Sequence, residues 1–183
     1  KSKSKVQMKI KRAHLSPGAA ISMDQYISRT PGRLPHTKGK EQKKFKYSGG
    51  TIFVDHASSF VFINHQVSLT AGSTLISKKK FEQKCAEYGV QVQEYHTDNV
   101  PFGSKAFMEN IELNNQKIKF SGVGAHHQNG VAERAIKTIT QLARAMLLHA
   151  TIMWPDQANL ELWPFAMDHA VYIYNNVSRM NVN

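Results

Sequence analysis

Thr51-Ile52-Phe53-Val54-Asp55-His56-Ala57-Ser58-Ser59-Phe60-Val61-Phe62-Ile63-Asn64-His65-Gln66-Val67 decides the fold. Two runs rich in Val, Ile and Phe, Thr51 to Asp55 and Ser59 to Val67, flank a short polar turn, which predicts a β-hairpin. Downstream the period changes. Thr74 to Tyr88 places Leu75, Ile76, Phe81 and Cys85 at roughly helical spacing, with Gly89 as the stop. Val90 to Thr97 predicts a strand ended by Asp98, Ser104 to Leu113 a short helix, and Lys117 to Ser121 a further strand. Gly122 to Gly130 reads as a glycine- and histidine-containing loop. Val131 to His149 carries Val131, Ala135, Ile139, Leu142 and Met146 on one stripe, an amphipathic helix. A last helical region covers Leu160 to Val177. Upstream of the hairpin, the apolar run Ala19 to Met23 ends at Asp24. A hairpin-led set of strands with interleaved helices predicts an α/β fold with a mixed sheet and no internal repeat.

Charge divides the chain in two. Residues 1 to 50 hold 13 Lys/Arg against Asp24 and Glu41, so they carry the entire net charge of +11, and the remaining 133 residues balance. Lys1 to Pro17 has no sustained apolar period and reads as a basic linker or arm. Arg29 to Lys46, punctuated by Pro31, Gly32, Pro35 and Gly39, reads as a basic loop. Clustered positive charge on an otherwise neutral chain is the footprint of a nucleic-acid binder; a solvated basic tail is the bland alternative. A single cysteine, Cys85, excludes a disulfide framework and a Cys-based zinc site. No apolar run reaches the length of a membrane span. The chain opens at Lys1 rather than methionine, as a fragment or a processed polyprotein would.

Three acids stand at positions that matter. Asp24 and Asp98 each follow an apolar run, and Glu133 falls in the first turn of the long helix. Strand ends and helix starts gather at one rim of an α/β sheet. Carboxylates gathered there repel unless they bind cations, and hard oxygen ligands suit Mg²⁺ or Mn²⁺. Two such ions activate an attacking oxygen and stabilise a leaving oxygen at a phosphodiester. On spacing alone, three unrelated solvated acids are the better account.

The motifs around them carry more. His127-Gln128-Asn129-Gly130-Val131-Ala132-Glu133-Arg134 resembles the glutamate motif of Ty1/copia-type retrotransposon integrases. His96-Thr97-Asp98-Asn99, followed by Ser104 and Phe107, resembles their second aspartate motif, and Thr51 to Ser58 resembles the strand and turn after the first aspartate. The likeness covers roughly residues 20 to 175. It implies a ribonuclease H-like mixed five-stranded sheet flanked by helices. It also implies an Asp, Asp, Glu triad holding two Mg²⁺ or Mn²⁺ ions for DNA integration: processing of element DNA ends and their joining to target DNA. The roles fall on Asp24, Asp98 and Glu133. Asp55, which also closes an apolar strand, is the rival for the first place. The chain departs from the family where it has Asp98-Asn99-Val100-Pro101-Phe102, and the 34 residues between Asp98 and Glu133 are one short of the usual interval.

Further candidates follow from position. Lys137, Gln141 and Arg144 continue the face of Glu133 and could track DNA phosphates; Lys137 is the one the retroviral relatives favour, and a Glu133–Lys137 pair is the alternative. Asn129 either touches DNA or caps the long helix. Lys43, Lys44 and Lys46 of the basic loop, at about residues 29 to 48, are expected to grip double-stranded DNA. His126 and His127 lack further ligands at zinc spacing. Trp154, Trp163, Phe165, Tyr172 and Tyr174 are expected to pack the core. The organisation implied is a basic arm over residues 1 to 18, taking the place of a linker after an absent His/Cys zinc module, and a catalytic core over 19 to 179. The resemblance further implies a homo-oligomer without a membrane role, working in the nucleus by way of a cytoplasmic virus-like particle. A ribonuclease H-type nuclease acting on hybrids and an inactive remnant that only binds nucleic acid are the rival readings.

Overall fold

The computed structural model of the chain describes residues 15–38, 40–98, 102–121 and 129–177. Five strands form one sheet: β1 (Ile21–Gly32), β2 (Tyr47–Asp55), β3 (Val61–Gln66), β4 (Glu94–Thr97) and β5 (Lys117–Phe120). Their spatial order is β3-β2-β1-β4-β5, antiparallel from β3 to β1 and parallel from β1 to β5. Among the described residues four helices flank it: α1 (Ala71–Ala86), α2 (Lys105–Leu113), α3 (Gly130–Met153) and α4 (Trp163–Asn176). The mixed five-stranded α/β sheet expected from the sequence is the one observed.

Side-chain alternation along the strands builds two cores. Ile52 and Val54 face one way with Tyr26, Val61 and Ile63, under Ala135, Ile139, Ala143 and Leu147 of α3 and Trp163, Met167 and Ala170 of α4. Phe53 faces the other way with Ile21, Met23 and Tyr95, under Phe81 and Cys85 of α1 and Phe107 and Ile111 of α2. β2 lies inside the sheet, between β3 and β1, and is covered on both faces, so its last seven residues are all buried. Gly50 belongs to that run for a steric reason: a Cβ there would collide with the Tyr26 hydroxyl and the Asn64 carbonyl.

The first strand is longer than expected. Ile21–Gly32 continues through the polar stretch Ser28-Arg29-Thr30, because its backbone pairs with β2 from Ile21↔Asp55 to Ile27↔Gly49 and again at Gly32↔Tyr47, past an irregularity between them. Asp24 is therefore the fourth residue of a twelve-residue strand, not its end. The basic loop shrinks accordingly to the segment between Gly32 and Tyr47, with a 3-10 turn at Lys43–Phe45.

α1 begins at Ala71, three residues before the expected start, with the Thr70 hydroxyl accepting from Ser73 N–H. Its Lys78 is fully buried and satisfied by Glu82 Oε1 at 2.8 Å and Asn110 Oδ1 at 2.7 Å. α3 runs on to Met153, and the last helical region divides into a 3-10 turn, Leu160–Leu162, and α4. Of the aromatic residues expected inside, Trp163 is buried, whereas Trp154 stays exposed just past the end of α3 and Phe165 and Tyr172 stay exposed on α4. The outer edge of β3 is closed by a side chain: Asn175 Oδ1 accepts from Val61 N–H at 2.9 Å while its Nδ2 donates to Val61 O at 2.8 Å. Among the described residues no helix is long and apolar enough to cross a membrane.

Candidate active site

Where β1 and β4 run parallel, their pairing covers Ile21↔Tyr95 and Ser22↔His96. Asp24 and Asp98 each lie two residues beyond the second pair, so the sheet register sets them side by side as the strands part. A crevice at the carboxyl ends of parallel strands is the usual ligand position in α/β sheets. Ser22, Asp24 and Tyr26 share the face covered by α3. Glu133 enters from above it, exposed, in the first turn of α3, where the helix dipole favours an acid.

Asp98 and Glu133 both bear on Asp24. Burial raises the Asp24 pKa from 3.8 to about 6; the bond it accepts from its neighbour's N–H opposes the rise, and the negative charges of Asp98 and Glu133 add to it. That opposing bond runs from Gln25 N–H to Asp24 Oδ1 at 2.7 Å. Gln25 is itself anchored, its Nε2 donating to Thr74 Oγ1 of α1 at 2.8 Å. Among the described residues no group of three His, Cys, Asp or Glu side chains converges closely enough to hold an ion as they stand. The acids are thus near enough to repel, and one oxygen of Asp24 is turned onto its own backbone. Donor chemistry fits a hard divalent cation: three carboxylates whose mutual repulsion a cation would relieve.

Asp55 is elsewhere. It pairs with Ile21 whereas Asp24 pairs with Ile52, which separates the two aspartates by about 10 Å along the ribbon. Its carboxylate is 4% exposed and committed to the turn, accepting from Gly18 N–H at 3.0 Å, Ser58 N–H at 2.7 Å and Ser58 Oγ–H at 2.5 Å.

The other candidates divide by exposure. Lys137, Gln141 and Arg144 are all exposed on α3. Among the described residues no ion pair joins Glu133 to Lys137, which leaves the ammonium facing solvent. Lys43 and Lys44 are exposed too, Lys44 Nζ lying 4.9 Å above the Phe45 ring. With Ser28, Arg29 and Tyr47 they line a groove of about 510 Å³ at the far end of β1. Lys46 differs from its neighbours: its side chain is only 10% exposed and its Nζ is bound to Glu161 Oε2 at 2.6 Å. Asn129 stands at the N-cap position of α3 but makes no capping bond. It is fully buried, and its Nδ2 donates to Met23 O at 3.1 Å, so the expected surface contact with DNA and the expected cap are both replaced by an inward bond. Asn99, His126, His127, Gln128 and the arm from Lys1 to Arg12 lie outside the described residues.

Sequence reasoning missed what lies around the carboxylates. Ser22 Oγ and His56 Nε2 are 2.8 Å apart and buried, and Tyr26, His65 and Asp168 form a chain from β1 through β3 to α4. Only a histidine at an inward strand position hinted at either. Burial lifts the Cys85 thiol to about 11, which removes it as a nucleophile at neutral pH.

No protein-family profile matches the chain, and no curated protein matches its sequence. Solved structures do match it. The HTLV-2 integrase catalytic core domain, a dimeric form in complex with magnesium, is similar with a TM-score of 0.62 and 22% identity over 92% of this chain and 94% of that one. A chain of the simian T-cell lymphotropic virus intasome gives 0.64 and 17% identity over 97% of this chain and 57% of its own length. The catalytic core domain of BIV integrase gives 0.60 and 15% identity over 89% and 87%. Together with the strand order and the flanking helices, these likenesses show that the chain has the ribonuclease H-like fold of integrase catalytic cores.

Proposed function

We propose that the chain is the catalytic core of a Ty1/copia-type retrotransposon integrase, a divalent-metal-dependent polynucleotidyl transferase that processes element DNA ends and joins them to target DNA. The observation that carries this reading is the register that sets Asp24 and Asp98 side by side where β1 and β4 part, with Glu133 in the first turn of the helix that covers the same face. On this reading Asp24, Asp98 and Glu133 hold two Mg²⁺ or Mn²⁺ ions; the magnesium of the HTLV-2 core supports the choice of metal. Bound there, such ions polarise the attacking oxygen and stabilise the leaving one.

The chain itself supplies placement. β1 and β4 fix two carboxylates through sheet register, and α3 brings the third with its exposed lysine one turn on. Water is the attacking group in end processing and the new 3′-hydroxyl in strand transfer, each held in line with the scissile phosphate. Lys137 and Arg144 contact the phosphates of the element end, while Lys43 and Lys44 grip the duplex from the groove at the far end of β1. Residues 1–18 serve as a basic arm beside a core spanning 19–179. The dimeric HTLV-2 core and the intasome chain support a homo-oligomeric working form acting on DNA; its compartment on this reading is the nucleus, reached by way of a virus-like particle.

A strand-transfer assay with Mn²⁺ and duplex element ends tests this. Asp24→Asn, Asp98→Asn and Glu133→Gln should each abolish nicking and joining and leave DNA binding intact. A chain that binds duplex but never joins strands under any divalent ion is the remnant. One that instead cuts RNA–DNA hybrids is the ribonuclease H-type nuclease.

A further inference from the structure

We propose that Asn129 is a positioning residue that sets the spacing of the three carboxylates by holding the start of α3 against β1; this rests on reading those carboxylates as metal ligands. The pairing of β1 with β4 stops at Ser22↔His96. The next carbonyl along β1, that of Met23, goes to the Asn129 amide, 106 residues distant in sequence and 3.1 Å away. One side chain thus ties the backbone immediately before Asp24 to the helix that carries Glu133 one turn later. It does so at the point where the strands separate and the crevice opens.

Three features set this bond apart from ordinary packing. Asn129 occupies an N-cap position, at φ −96° and ψ 14°, yet gives up the capping bond that asparagine makes well. Among the described residues its buried Oδ1 has no hydrogen-bond partner, a cost that an apolar side chain of the same size would avoid. Gly130 adds no steric hold of its own, since a Cβ there would meet nothing within 4 Å. The amide shares the hold on the helix start with Ala132, fully buried, and with Val131, packed partly buried against the same core. Glu133, next in the chain, is exposed and free of ion pairs among the described residues, so its carboxylate follows any rotation of this turn. A metal site needs its ligands held within a few tenths of an ångström, and residues behind the ligands do that work.

Asn129→Leu keeps the buried volume and removes the amide; Asn129→Gln keeps the donor on a longer arm. Each is titrated with Mn²⁺ by electron paramagnetic resonance, and its affinity for duplex element ends is measured in EDTA, beside Asp24→Asn and the unmutated chain. We expect Asn129→Leu to weaken Mn²⁺ binding at least tenfold with duplex affinity within twofold of the unmutated chain, and Asn129→Gln to fall between them. Unchanged Mn²⁺ affinity in Asn129→Leu overturns the proposal, as does a loss confined to duplex affinity, which would make Asn129 a DNA contact. If Asn129→Leu does not fold, an unchanged Mn²⁺ affinity in Asn129→Gln is the overturning result. If Asp24→Asn binds Mn²⁺ as well as the unmutated chain, the metal reading itself fails and takes this inference with it.

Discussion

Lys46 Nζ meets Glu161 Oε2 at 2.6 Å across 115 residues of sequence, which locks the end of the basic loop to the turn before α4. Of the three lysines expected to grip DNA, Lys46 is therefore structural, whereas Lys43 and Lys44 are exposed. Lys43→Ala and Lys44→Ala should each lower the salt dependence of duplex binding by about one unit of slope. Lys46→Ala should leave the slope unchanged, and Glu161→Gln, by releasing Lys46, should raise it. Filter binding over a salt series reads all four.

Asp24 gives a pH signature without metal. Its pKa is raised to about 6 in the fold from 3.8, so the folded state disfavours its ionised form. The resulting destabilisation is absent below pH 3.8, grows between about 4 and 6, and is constant above that. In EDTA, Asp24→Asn should therefore raise the melting temperature at pH 7 to 8 and converge with the unmutated chain towards pH 4. Adding Mg²⁺ should stabilise the unmutated chain at pH 7 and leave Asp24→Asn unmoved.

Asp55 and Asp24 should respond in opposite ways. Asp55 accepts from Gly18 N–H and twice from Ser58, and Asn would put a donor against those donors. Asp55→Asn should cost about 1.5–3 kcal/mol of stability in urea unfolding and leave Mn²⁺ affinity intact. A loss of Mn²⁺ binding in Asp55→Asn alone would move the first ligand to that position.

The chain Tyr26–His65–Asp168 predicts a third stability effect. The Tyr26 hydroxyl lies 2.7 Å from His65 Nδ1, and His65 Nε2 lies 3.1 Å from both Asp168 Oδ1 and Pro164 O. Tyr26→Phe would leave a buried ring nitrogen unpaired, a loss of about 1–3 kcal/mol. Equilibrium urea unfolding at unchanged m-value measures it.

How far the sequence could be read depended on what each residue's neighbours supplied. The β2–β3 hairpin was legible because alternation and a polar turn are local signals. Asp98 and Glu133 were placed well, since each follows a clear strand or opens a clear helix. Asp24 was misjudged as a strand end because Ser28-Arg29-Thr30 and Pro31-Gly32 look like a loop, while the pairing that keeps them extended comes from residues beyond Lys46. Lys46 itself could not be told from Lys43 and Lys44, because its partner Glu161 is remote. Asn129 before a helix reads as a cap, and only the carbonyl of Met23 reveals that it faces inward. In each failure the deciding partner was distant along the chain.

The Asn175 side chain that closes on Val61 has a consequence for assembly. By answering both the N–H and the carbonyl of the outermost strand, it behaves as a one-residue sixth strand. At the opposite margin, β5 presents Lys117 and a Lys119 whose Nζ is held by Glu94 Oε1 at 2.8 Å, charged side chains that hinder another backbone from docking alongside. Neither margin of the sheet invites extension by a second copy. A second copy of this chain would therefore meet the first through helices and loops, and the sheet ends where the monomer ends.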